Sequence, residues 1–241
     1  MTSNHLIIGG HGGIGENLAL RLKTNDLNVV ATMRSPETSA AALNAAGITC
    51  LKLDINDTES ISALTAHIGD MPLHGLAYCV GSIDLMPLKT TRDEHFLRAF
   101  ELNVLGAVRI LRALESNLKA GKGSVVLFSS IAATHGFANH AVIATAKAAL
   151  EGLAKSLAAE WAPHVRVNVI APSLSRTPLA EKMTGNEKIA TAIASTHPMQ
   201  RLGEATDSAA LASFLLGPDS SWITGQVIHV DGGRSTLRVP A

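Results

Sequence analysis

The stretch HAVIATAKAALEGLAKSLAAEW, residues 140–161, carries a histidine and a lysine seven residues apart in an apolar run that reads as one amphipathic helix. A helix repeats its face at three, four and seven residues, so His140 and Lys147 share one side about two turns apart, with Ile143 between them. An imidazole can move a proton near neutral pH and an ammonium supplies a fixed positive charge, whereas Ile143 has no proton to give. Ser130, at the end of GSVVLFSS, adds a hydroxyl, and His135 follows it in the next loop. A second reactive feature is GGHGGIGENLALRL, where Gly9, Gly13 and Gly15 follow an apolar run directly and open a helix. Glycines there let the backbone turn tightly and approach a pyrophosphate, whose charge rests on the free amides of the helix N-terminus. His11 lies inside that loop.

The elements that must position these groups alternate along the chain. HLIIGG, LNVVATM, ITCLKL, LHGLAYCV, GSVVLFSS, VRVNVIA and GQVIHV are seven strand candidates, separated by helical patterns. Several are continuously apolar, as strands covered on both faces are, so the spacing predicts a seven-stranded parallel sheet. The fold class expected is doubly wound (Rossmann) α/β, a three-layer αβα sandwich forming a single domain over residues 1–241. One long gap separates strands between residues 172 and 225, and its mixed, proline-bounded stretch predicts a substrate lid at about 178–200.

Composition narrows the function classes. Of 241 residues, 46% are apolar and 17% charged, which is ample for a buried core. Twenty Lys and Arg balance twenty Asp and Glu, so no net field favours nucleic acid or an anionic membrane. Cys50 and Cys79 lie in apolar runs and read as small core residues, with no metal site. The N-terminus has no basic segment ahead of its apolar run, and no run reaches membrane-spanning length, so a soluble, cytoplasmic protein is expected.

With these motifs in hand, the chain resembles the short-chain dehydrogenase/reductase family over nearly its whole length. The family's phosphate loop TGxxxGIG is matched at Gly9, Gly13, Ile14 and Gly15, with Ile8 in place of the threonine. The resemblance implies that Asp54 and the adjoining Ile55 meet the adenine; Asp54 alone also reads as a helix N-cap ahead of TESISALTAHI. Of the family's NNAG, only Gly81 survives, behind Tyr78, Cys79 and Val80. Asn103 matches an asparagine that kinks a helix and anchors a proton-relay water. Ser130, thirteen residues before Ile143, matches the substrate-binding serine, and Lys147 the lysine that lowers a tyrosine's pKa and binds the nicotinamide ribose. That tyrosine's position holds Ile143. In VRVNVIAPSLSRTPL, with Ser173 for a glycine, the carboxamide-holding roles fall to Val169 or Ile170, Pro172, Leu174 and Thr177. The tail SSWITGQVIHVDGG resembles the family's oligomer contacts and implies a homo-oligomer, a dimer or tetramer, with a homotetramer preferred.

After the second strand, Met33 replaces the acidic residue that would bind a ribose hydroxyl, and Arg34 and Ser35 follow. This suits a 2′-phosphate, so NADP(H) is the preferred cofactor and NAD(H) the alternative, although Gly12 stands where many NADP enzymes carry a second basic residue. The implied activity is hydride transfer to or from a carbonyl, imine or activated double bond of a small, largely apolar substrate. Enoyl reductases of the superfamily place their tyrosine seven residues before the lysine, the position of His140 here. Two roles stand open to His140, an atypical proton donor working with Ser130, or a cap for the helix start. The alternatives to an oxidoreductase are an inactive nucleotide-binding subunit and a lyase or isomerase that uses the cofactor transiently.

Overall fold

The apolar runs become strands β1 Asn4–Ile8, β2 Asn28–Met33, β3 Thr49–Lys52, β4 Gly75–Tyr78, β5 Ser124–Phe128 and β6 Arg166–Pro172. Two short strands follow, β7 Ser175–Arg176 and β8 Gly203–Glu204, and then β9 Val227–Val230. In the computed structural model, which describes residues 3–36 and 40–238, the main sheet has seven strands in the order β3-β2-β1-β4-β5-β6-β9, all parallel. The ends of the expected 1–241 domain, and residues 37–39 of the segment after β2, lie outside the described residues.

Side chains alternate across the pleat and supply two apolar layers. Leu6, Ile8, Leu76, Tyr78, Val125 and Leu127 face one cluster, together with the helices Thr58–Ile68, Gly106–Ala113 and Ala141–Trp161. Ile7, Ala77, Val126 and Phe128 face the other, with the helices Gly13–Lys23 and Ala205–Leu216. The expected αβα sandwich is therefore present, as a single-domain Rossmann-like fold. The chain runs outward from β1 to β3 and then returns to β4 on the opposite side of β1. This reversal opens a crevice beyond the carboxyl ends of β1 and β4, where such sheets bind ligands.

The long helix Ala141–Trp161 buries Val142, Ala146, Leu150, Ala154, Ala158 and Trp161, a stripe at helical spacing. The excursion after β6 is helical, with Pro178–Ala180, Glu181–Thr184 and Glu187–Ala194 as its pieces; Asn186 caps the last by accepting from the amides of Lys188 and Ile189. The parallel pair β7–β8, which the sequence did not predict, ties the base of this excursion together. At its far end, His197 is buried and shares a 2.8 Å hydrogen bond with the Ser173 hydroxyl at the tip of β6.

His5 gives the fold an acid-sensitive point. It lies buried on β1 with its ring against Gly75, where a Cβ would collide with it. Burial holds its imidazole down at about 4 against an ordinary 6.5. Between these two pH values the unfolded chain binds a proton that the fold refuses. The contribution is complete above pH 6.5 and is lost as pH falls through 4, to a maximum of about 3 kcal/mol. Urea unfolding of His5→Gln should therefore show less loss of stability between pH 6.5 and 4 than the parent chain; equal losses would remove His5 as the cause.

Candidate active site

The glycine loop forms one wall of the crevice. Gly9 has φ +80°, a left-handed conformation that suits glycine, and a Cβ at Gly15 would run into the Gly9 carbonyl oxygen. Gly12 and Gly13 sit under Pro178 and Thr177, whose side-chain atoms stand 3.3 and 3.2 Å from where their Cβ atoms would be. The Glu16 carboxylate accepts from the Gly12 amide at 3.2 Å, placing a negative charge beside the loop. Beyond the loop lies a cleft of about 470 Å³ bordered by His11, Arg34, Asp54 and Ile55, with Met33 at its edge. Arg34 and Ser35 are exposed at the end of β2. Asp54 accepts from the Asn56 amide, while the side chain that caps Thr58–Ile68 belongs to Asp57, so Asp54 is not the helix cap.

A second cavity, of about 370 Å³, adjoins the first. Ile14, Cys79, Val80, Gly81, Thr177 and Leu179 line both, so the two form one continuous site. Ser130, His140, Ile143 and Lys147 all border this second cavity, with Pro172 and Leu174 at the end of β6. Val169 and Ile170 are instead buried in the two core layers. Lys147 is buried, donates from Nζ to the Phe128 carbonyl at 2.7 Å, and is pushed by desolvation down to about 8. Desolvation pushes the nearby Cys79 thiol up to about 12.

Asn103 lies in a π-helical segment, Glu101–Leu105, between two α-helical stretches. Its Nδ2 donates to the Ala99 carbonyl at 2.8 Å, while Oδ1 is buried with no hydrogen-bond partner among the described residues. That oxygen and Lys147 Nζ converge, each 3.1 Å from where a Gly81 Cβ would stand. A buried carbonyl oxygen without a donor is costly, so its position beside the lysine nitrogen marks a polar point inside the site. Glycine at position 81 is what leaves room there.

His140 occupies the N-cap position of Ala141–Trp161, and its backbone carbonyl accepts from Ala144, yet its side chain caps no amide. Nδ1 instead lies 2.7 Å from the Ala138 carbonyl oxygen. A carbonyl can only accept, so Nδ1 carries hydrogen, and the neutral ring presents an Nε2 lone pair. The paired serines separate cleanly. Ser129 is buried and donates to the Glu151 carboxylate at 2.6 Å, whereas Ser130 accepts only from the Ala132 amide, at 3.2 Å, among the described residues. Tyr78, the chain's single tyrosine, is buried with its hydroxyl on the Leu102 carbonyl at 2.7 Å, and burial raises its pKa. It borders neither cavity. His135 stacks edge-on against His229 and bonds to Thr134, away from the cavity lining, and His11 is exposed at the glycine-walled cleft.

Sequence reading missed two groups at the cavity. Phe137 and Arg234 form one side of it, the guanidinium carbon 4.9 Å from the ring centroid. The signal available was positional, because Arg234 directly follows the glycines after β9 and so emerges at the same carboxyl edge of the sheet.

A doubly wound sheet with a glycine cradle and a lysine-bearing helix at its carboxyl edge is a dinucleotide-binding architecture. A family model described as Enoyl-(Acyl carrier protein) reductase matches residues 9–235. Dehydrogenase/reductase SDR family member 2, mitochondrial, of Homo sapiens is 31% identical over 246 residues, covering 96% of this chain and 86% of its own. A solved short-chain type dehydrogenase/reductase from Mycobacterium ulcerans superposes with a TM-score of 0.89 at 32% identity, over 99% of this chain and 92% of that one. ElxO with NADP bound superposes with a TM-score of 0.89 at 29% identity, over 98% and 100%. The chain belongs to the short-chain dehydrogenase/reductase family of oxidoreductases, whose members use NAD(P)(H). Among the described residues, no helix is long and apolar enough to cross a membrane.

Proposed function

We propose that the protein is an NADP(H)-dependent oxidoreductase that transfers hydride to or from a carbonyl, imine or activated double bond of a small substrate, with His140 as its proton group. The observation that carries this reading is the placement of Ser130, His140 and Lys147 on one cavity continuous with the glycine-walled cleft. The residues fit a dinucleotide: the Gly9–Gly15 contact shapes a cradle that a Cβ would fill, and Arg34 at the rim suits a 2′-phosphate. When bound, the cofactor supplies or accepts the hydride. Gly9, Gly13, Ile14 and Gly15 would hold its pyrophosphate, Asp54 and Ile55 its adenosine, and Gly81, Pro172, Leu174 and Thr177 the nicotinamide end.

Lys147 would bind the nicotinamide ribose, and with Asn103 Oδ1 it would hold a water that links the buried end of the site to solvent. Ser130 would donate to the substrate oxygen, since its hydroxyl hydrogen is not taken by the Ala132 amide. The lone pair on His140 Nε2 accepts a proton when an alcohol is oxidised, and the imidazolium returns one when a carbonyl is reduced. Residues 178–200 would close over the cavity as a lid, since Leu179 and Met183 already border it. A cytoplasmic homo-oligomer, dimer or tetramer, completes the proposal.

Fluorescence titration with NADPH and NADH, followed by carbonyl, imine and enoyl substrate panels, tests it. NADPH should bind more tightly, and His140→Ala and Ser130→Ala should each lower kcat about 10- to 100-fold with the cofactor Kd little changed. Cofactor binding without turnover across all panels would favour an inactive nucleotide-binding subunit. Product formed without net cofactor oxidation would favour a lyase or isomerase.

A further inference from the structure

We propose that Arg234 receives a carboxylate of the substrate, so that the cavity selects an aliphatic oxo acid, or the matching hydroxy acid, over neutral carbonyl compounds. Turnover of such a substrate rests on the oxidoreductase reading above; its recognition does not.

Three observations converge. Arg234 borders the same cavity as Ser130 and His140, with its guanidinium over the Phe137 ring, half-buried. Among the described residues no carboxylate lies within ion-pair distance of it and no acceptor takes its guanidinium N–H groups; its backbone amide donates to the Asp231 carbonyl at 3.2 Å. The Asp231 charge acts on Arg234, but the Asp231 oxygens accept from the backbone amides of Gly233 and Ser235, both at 2.9 Å. Those bonds fix the turn that carries Arg234, and the Ser235 hydroxyl 3.0 Å from His229 Nδ1 fixes it further. The turn is therefore fixed, and the guanidinium rests over the Phe137 ring with its donors unused.

The cavity's composition supplies the rest. Among the described residues no Asp or Glu lines the cavity, and Arg234 and Lys147 do. Lys147 is engaged at the Phe128 carbonyl, deep beside Gly81. Ile83, Leu85, Leu174, Leu179 and Met183 make much of the remaining wall apolar, with the hydroxyls of Ser82, Ser173 and Ser175 among them. Such a space favours a short aliphatic body with an anion at one end, and the planar fork of a guanidinium matches a carboxylate in two parallel hydrogen bonds. Charge pairing in a partly desolvated pocket also discriminates sharply, because a neutral analogue leaves the cation's donors unpaired.

The test uses 4-oxopentanoate and its methyl ester, which differ in the charge and one methyl group, with Arg234→Met, whose flexible apolar chain can still lie against Phe137. Binding to the NADPH-loaded protein is followed by cofactor fluorescence, and turnover by NADPH absorbance. The parent protein should bind the acid about tenfold or more tightly than the ester, and Arg234→Met should bring that ratio close to one. Equal binding of acid and ester by the parent, or a ratio unmoved by Arg234→Met, overturns the proposal whatever the turnover. Selective, Arg234-dependent binding of the acid with no turnover by the parent would uphold Arg234 as the anion site and count against the oxidoreductase reading. Phosphate added as a competitor should weaken acid binding to the parent without affecting ester binding. Competition that persists equally in Arg234→Met would place the anion elsewhere and also overturn it.

Discussion

Ile143→Tyr is expected to raise kcat for carbonyl reduction by about 10- to 100-fold over the parent enzyme. The substitution puts a phenol four residues before Lys147, on the helix face that borders the reactive cavity. Ile143 is only 6% exposed, yet it stands at the wall of a 370 Å³ space, so the larger ring has somewhere to extend. The cost is local overpacking of about 1–3 kcal/mol, to be read as a lower urea midpoint. The gain follows from general acid catalysis, which supplies about 10²- to 10⁴-fold where the acid is well placed. The lower part of that span is appropriate because Ser130 and His140 are arranged without a phenol between them. His140 should then matter less: His140→Ala should cost several-fold less in the Ile143→Tyr background than in the parent. Unchanged or reduced NADPH oxidation in a well-folded Ile143→Tyr protein would show that the missing phenol is not what limits the reaction.

Lys147→Met is expected to lower kcat/KM by about 10²-fold or more while shifting the melting temperature little. Two stability effects oppose one another. Burial disfavours the ammonium, as its value near 8 indicates, so replacing it with an apolar chain of similar length relieves desolvation. Against this, the Phe128 carbonyl loses its 2.7 Å donor and is left in a buried setting, at about 1–3 kcal/mol. Activity has no such compensation, because a methionine has no donor for the ribose hydroxyl and the relay water assigned to Lys147 in the proposal above. The same depressed value sets a pH signature. Between pH 8 and 10.5 the unfolded chain holds more protons at this position than the fold, so stability contributed by Lys147 rises with pH across that window. Lys147→Met should lose that rise. A variant that keeps full activity would remove Lys147 from the chemistry.

The main sheet was legible because its signal is repeated and local. Continuous apolar runs separated by helical patterns predict covered parallel strands, and all seven formed. The pair β7–β8 was not legible, since two residues per strand carry no periodicity and pair only through tertiary contact. Asp54 and Asp57 lie three residues apart in LKLDIND, and composition alone does not say which caps the helix; the turn between them assigns Asp57. At the site, spacing along one helix puts His140, Ile143 and Lys147 on one face, and all three border one cavity, because a helix converts sequence interval into direction. Arg234 and Phe137 come from segments far apart in the chain, and their contact depends on how the tail after β9 turns back over the cavity. The Ser173–His197 bond is of the same kind, closing a helical excursion that no local pattern ties shut.

The burial of Tyr78 has a practical consequence. With its hydroxyl on Leu102 and its ring sealed in the core, the chain's single phenol is silent in an alkaline absorbance titration until the fold itself opens. The phenol introduced by Ile143→Tyr would therefore ionise against an empty spectroscopic background. Its titration midpoint, read in the parent lysine and the Lys147→Met backgrounds, would measure directly how far one buried ammonium acidifies a neighbouring tyrosine.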